Sequence, residues 1–140
     1  MLIPYASAET LAQMAEGVAG YRAAFVGAGG LPEAATVPFG LHLHCSESTA
    51  QARGEARECM ESYVRTRLYA VQRPFETLVE QNVVAFGDPE EIVRVARLYE
   101  AAGFTHLLAI NNFGGLPHKQ VLRSMELLAR HVLPRFAGKR

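Results

Sequence analysis

Segments with a helical hydrophobic period alternate along this chain with short extended apolar segments, and that alternation leaves few folds open. Strands that follow one another through helices must run parallel, because only a long crossover returns the chain to the same end of a sheet. Residues 105–110 give the clearest extended signal. Thr-His-Leu-Leu-Ala-Ile is nearly continuous in apolar character, the pattern of a strand covered on both faces. Residues 37–45 read as another strand, with Pro38 at its entry, where a missing N–H costs nothing. Val83, Val84, Ala85 and Phe86 form a shorter extended segment broken by Gly87. Leu2, Ile3, Pro4 and Tyr5 read as the end of one more strand.

The helices between them carry start and stop signals. Ser7 is the expected N-cap of the first, whose apolar face is Leu11, Met14, Val18, Tyr21 and Phe25. The glycines from Gly27 to Gly30 end it. Ser48 with Gln51 three residues on is a capping-box pair for the second, whose face is Ala52, Ala56, Cys59, Tyr63 and Val64. Arg53, Arg57, Glu61 and Arg65 fall on its solvated side, and Pro74 stops it or opens a short turn through Leu78 and Val79. Asp88, Pro89 and Glu91 form a cap, a first helical proline and a capping-box partner for the third, with Ile92, Val95, Ala96 and Tyr99 inward. Gly103 closes it. The last helix presents Val121, Met125, Leu128 and Val132, and ends at Pro134. The expected core is Leu41, Leu43, Ile92, Tyr99, Leu107, Leu108, Val121, Met125 and Leu128.

Residues 1–140 make a single domain of ordinary size, with no repeat or low-complexity linker. Lys plus Arg and Asp plus Glu both number 14, so zero formal net charge gives no attraction to nucleic acid or an anionic membrane surface. No apolar run approaches a membrane span, and residues 1–9 lack the regions of a signal peptide. Cys45 and Cys59 have no paired spacing, which is simplest in a reduced cytoplasm.

Chemistry concentrates in two places. Asn111, Asn112, Phe113, Gly114, Gly115, Leu116, Pro117 and His118 lie where a parallel strand gives way to a helix, the end of the sheet at which α/β proteins bind ligands. The two glycines let backbone approach a flat or anionic ligand, and helix N–H groups favour negative charge. A glycine turn before a proline-started helix explains the same residues. No phosphate-loop or dinucleotide fingerprint is present. His42 and His44 alternate on a strand, so both point to one face and Cys45 to the other. Two imidazoles can bind a metal if a third ligand converges, but no ligand set completes a zinc site. They can also donate to an anionic substrate, relay protons or be structural. His118 opens a helix, where a neutral imidazole is favoured, or is simply exposed. His106 and His131 read as structural or solvated, and Asp88 and Glu91 as caps.

Several of these segments together resemble one family. They are residues 86–91 (Phe-Gly-Asp-Pro-Glu-Glu), 102–108 (Ala-Gly-Phe-Thr-His-Leu-Leu), 112–118 (Asn-Phe-Gly-Gly-Leu-Pro-His), 122–127 (Leu-Arg-Ser-Met-Glu-Leu) and 132–136 (Val-Leu-Pro-Arg-Phe). As a set they are similar to the carboxy-terminal end of bacterial luciferase-like monooxygenases, and residues 40–52 resemble the family's strand and capped helix before its long insertion. The resemblance implies α/β architecture, namely a partial (β/α)8 (TIM) barrel comprising about the last three to four strand-helix units. It implies reduced FMN, or a deazaflavin, at the carboxyl ends of the strands and oxygen-dependent oxidation of a small organic substrate. Alkanesulfonate monooxygenases within the family carry Arg-x-His on a late strand and Tyr-Pro-His after the last. By this resemblance His44 and His118 take the catalytic positions, Asn112, Phe113, Gly114 and Gly115 the cofactor loop, and His42 and Leu116 the substrate side. His42 stands for the arginine and Leu116 for the tyrosine, two departures that argue against a sulfonate.

A complete barrel needs about 250 residues. A partial one leaves sheet edges and an interior to be covered by a second copy of the chain, by an amino-terminal half-barrel partner, or by rearranged helices. Two functional readings follow. The chain contributes the final strands of a flavin-dependent monooxygenase, or it is an inactive truncated relative that dimerises or binds a ligand without turnover and, alone, holds no cofactor.

Overall fold

The computed structural model describes residues 10–67 and 71–137. The extended segment at residues 2–5 and the Ser7 cap lie outside them. Helix α1 spans Leu11–Gly27, and its cap is Thr10, whose hydroxyl accepts from the Gln13 N–H while the Gln13 side chain returns to the Thr10 N–H. After it come strand β1 (Pro38–Cys45), helix α2 (Thr49–Arg65), the short helix α3 (Phe75–Glu80), strand β2 (Ala85–Gly87), helix α4 (Pro89–Ala101), strand β3 (His106–Ile110) and helix α5 (His118–Leu127). A π turn over Leu128–Val132 and a 3-10 turn over Leu133–Arg135 end the described chain.

The strands form one parallel sheet in the order β2-β1-β3. β2 pairs with the end of β1, from Leu43 with Ala85 to Cys45 with Gly87. β3 pairs with its beginning, from Pro38 with His106 to His42 with Ile110. Where β3 has ended, the Cys45 N–H would be left over. The Ser124 hydroxyl of α5 accepts it at 2.8 Å, so a helix side chain finishes what the strand does not reach.

Period-two alternation sends alternate residues of β1 to different layers. Phe39, Leu41, Leu43 and Cys45 pack with Met14 and Val18 of α1, Ile92, Val95 and Tyr99 of α4, and Leu128 and Val132 beyond α5. The opposite face meets a second core built from Ala56, Met60 and Val64 of α2, Phe75 and Leu78 of α3, and Phe86, Phe113 and Leu116. The architecture is α/β, a parallel sheet flanked by helices, consistent with part of a (β/α)8 barrel. A closed barrel keeps its helices outside and fills the inside with side chains. Here the chain's own α2 and α3 cover the second face of β1.

The caps of α2 and α4 follow the sequence, but both expected capping-box partners turn elsewhere. Asp88 accepts from the Glu91 N–H, and Pro89 starts α4. Glu91 turns to Arg94 and Arg53 instead of completing the box, and the Asp88 N–H donates to the Thr49 hydroxyl of α2 at 3.2 Å. Ser48 caps α2, but the Gln51 side chain goes on to Glu55.

Three expected core residues are surface residues. Leu107 is 37% exposed, Leu108 46% and Met125 49%. Among the described residues β3 lies at the sheet edge with β1 as its one strand neighbour, and α5 packs against β1 instead of across β3. Its apolar composition therefore did not predict cover. On α5 the inward position is Ser124, not Met125, because that register brings the hydroxyl to Cys45, and Leu128 and Val132 turn inward through the π turn. On α1 Tyr21 is exposed, and on α2 Met60 is the buried residue while Cys59 and Tyr63 are half-buried. Among the described residues no helix is long and apolar enough to cross a membrane.

Candidate functional site

The two histidines of β1 share the face that α2 covers. His42 is 1% exposed and His44 0%. The His42 ring lies 4.9 Å from the Tyr63 ring and 5.5 Å from the Phe113 ring, centroid to centroid. Burial, with the Arg67 charge adding to it, pushes His42 down to about 4, so it is neutral at pH 7.

His44 Nε2 sits 2.7 Å from Glu55 Oε2. Glu55 rises beside the inward stripe of α2 and is the meeting point of two further donors. Arg123 of α5 reaches both carboxylate oxygens, at 2.7 Å to Oε1, and the Gln51 amide reaches Oε1 at 3.0 Å. Burial alone would raise the Glu55 carboxyl, but the hydrogen bonds from His44, Gln51 and Arg123 outweigh it and hold it at about 2. An ionised Glu55 only accepts, so His44 carries its proton on Nε2. Among the described residues the buried Nδ1 has no hydrogen-bond partner. Arg123 also donates to the Ser46 hydroxyl at 3.1 Å, and its Nε lies 3.7 Å from Glu47.

The loop after β3 closes over the same layer. Phe113 is buried against His42 and Phe86, and Leu116 is buried in the same core. Gly114 holds φ +57, and a Cβ there would stand 1.7 Å from the Cys59 carbonyl oxygen. The close approach that the glycine permits here is to the backbone of α2. Gly115, at φ +81, faces open space, and Asn112 and His118 are exposed. No hydrogen bond links His118 to His44 or to the glycines among the described residues. His106 bonds the Thr105 hydroxyl, and His131 is exposed. Among the described residues no three His, Cys, Asp or Glu side chains converge to hold a metal.

Geometry therefore unites His42, His44 and Phe113 with Glu55 and Arg123, and leaves His118, Asn112 and Gly115 at the surface. Glu55 and Arg123 escaped the sequence reading. Glu55 carried a usable signal, a carboxylate adjoining the buried Ala52 and Ala56 positions, which must find cations. A flavin ring does not fit the histidine face as it stands, because α2 and the Gly114 loop fill the space.

No protein-family model and no curated protein matches the sequence. Solved structures do match. The monooxygenase RslO1 from Streptomyces bottropensis superposes with a TM-score of 0.81 at 23% identity, over 93% of this chain and 40% of its own. The oxygenating constituent of 3,6-diketocamphane monooxygenase from Pseudomonas putida, a type II Baeyer-Villiger monooxygenase in complex with FMN, gives 0.69 at 20% identity, over 90% and 40%. At such identities the likeness establishes the fold, which is that of a portion of these monooxygenases. The chain spans less than half the length of either.

Proposed function

We propose that the chain contributes the last strand-helix units of a luciferase-like flavin-dependent monooxygenase that oxidises a small organic substrate with oxygen and reduced FMN, or a deazaflavin. The observation that carries the proposal is the 0.81 superposition on a monooxygenase over nearly the whole chain. The FMN complex of the second relative and the motif set at residues 86–136 support it. In this reading His44 and His118 serve catalysis, Asn112, Phe113, Gly114 and Gly115 the flavin, and His42 and Leu116 the substrate. A second copy or an amino-terminal half-barrel completes the site, and the cytoplasm is its setting, in keeping with two free cysteines.

A second reading has its own observation. With His42 and His44 beneath α2, the chain alone binds a ligand without turnover or binds none. Titrating FMN with the purified chain, followed by flavin fluorescence, and then measuring oxygen consumption with reduced FMN and candidate small substrates separates the readings. Quenching with substrate-dependent oxygen uptake supports the first. Quenching without uptake supports the second. No quenching, alone or with an amino-terminal half supplied, sinks the flavin assignment.

A further inference from the structure

The faces of β1 are covered by helices of unequal grip. On one face α4 inserts Ile92, Val95, Ala96 and Tyr99. On the other, α2 inserts Ala52, Ala56, Met60 and Val64. Alanine removes little apolar area from water, so residue for residue the α2 stripe is held by less hydrophobic free energy. What lies beneath it is also less suited to burial. Two imidazoles occupy positions where the other face has Leu41, Leu43 and Cys45. Returning them to water recovers hydration that returning leucines would not.

Among the described residues α2 is held by polar ties at several places, Arg57 to Glu76 of α3 and the Gln72 amide to the Val64 carbonyl among them. Its first turns are fixed to the start of α4, through Thr49 with Asp88 and Arg53 with Glu91. Past these, Glu55 reaches across to His44 of β1 and Arg123 of α5. We propose that α2 is a displaceable cover that pivots at its Thr49 end and is latched over the histidine face by Glu55, so that the isolated chain holds its own site shut. The cover accounts for the misfit between this face and a flavin. In giving the hidden face a ligand, though not in its hinge or latch, the inference rests on the function proposed above.

Amide hydrogen exchange reads the cover without any ligand. In the unmodified chain, amides at the buried positions Ala56, Met60 and Val64 exchange through a local opening at least tenfold faster, after correction for intrinsic rates, than those at Ile92, Val95 and Tyr99. Glu55→Gln accelerates the α2 set a further tenfold or more and leaves the α4 set within about twofold. Equal protection of the two helices, rising and falling together in the unmodified chain, overturns the cover whether or not the variant folds. An α2 set unmoved by Glu55→Gln in a folded variant overturns the latch. FMN fluorescence with the same proteins then tests the other link. Faster α2 exchange with no FMN quenching keeps the cover and removes the flavin. Quenching with uniform protection removes the cover and keeps the flavin.

Discussion

β1 and β3 lie side by side, and the more apolar of the two is the more exposed. Residues 40–45 of β1, Gly-Leu-His-Leu-His-Cys, include two histidines and are buried throughout. β3, His-Leu-Leu-Ala-Ile, is exposed along nearly its whole length. Composition records what a strand would gain from cover, whereas position in the sheet decides whether it gets any. β1 has a strand on each edge and helices on both faces, so even imidazoles are drawn out of water with it. Among the described residues β3 has one strand neighbour, and the helix that follows it crosses to the end of β1. An apolar edge strand without Lys, Glu or Pro lacks the usual guards against further pairing. That makes the homodimer, or a half-barrel partner along β3, a proposal the sheet invites.

The contrast can be broken most sharply at the covered strand. Leu41→Ala removes a side chain that is 1% exposed and should cost about 2–5 kcal/mol through lost burial and a residual cavity, read from urea unfolding. A cost near zero would mean that β1 is not the centre of the core. The buried histidine supplies the next test. Between pH 6.5 and about 4 the unfolded chain takes up a proton that folded His42 refuses, so stability falls as pH drops through this window. The loss reaches about 3 kcal/mol at pH 4 and is absent above pH 7. His42→Leu should flatten that segment of the curve. Loss confined below pH 4.5 would point to carboxylates such as Glu55, whose depressed pKa places its contribution above the unfolded value and removes it in stronger acid.

Much of this was legible in the chain, and the failures share a cause. Asp88 with Pro89 and Ser48 gave helix starts from local chemistry, and the alternation of His42 and His44 gave their common face, because caps and pleats need only near neighbours. Leu107, Leu108 and Met125 were misjudged because their burial depends on which element lies above them, which is a matter of topology. Gly114 reads from the sequence as a glycine of close backbone approach, and the approach the fold shows is to the Cys59 carbonyl, 55 residues earlier by number. Glu55 and Arg123 meet across a similar gap, with no local pattern to join them.

Smaller effects sharpen the boundary between the two strands. Ser124 stands where β3 stops, and Ser124→Ala would leave the Cys45 N–H buried without its acceptor, at a cost of about 1–3 kcal/mol. Exchange at the Cys45 amide should quicken together with the lowered urea midpoint. Unchanged exchange there would show that water or a shifted strand supplies the acceptor.

The smallest expected effect lies on β3 itself and decides the most about assembly. Leu108→Ala acts on a side chain that is 46% exposed, so in the chain described here it should change stability by no more than about 0.5 kcal/mol. The apolar pattern alone would have put the cost at the level of Leu41→Ala. If a second copy covers β3 in solution, the larger cost reappears, and it must then depend on protein concentration, because burial supplied by another molecule follows mass action. Urea unfolding of Leu108→Ala and the unmodified chain, each at low and at high micromolar concentration, separates the cases. A small difference at both concentrations describes a bare edge. A difference that grows with concentration describes an intermolecular cover. A large difference at every concentration would mean that the chain covers β3 itself, and the placement of α5 would need revision.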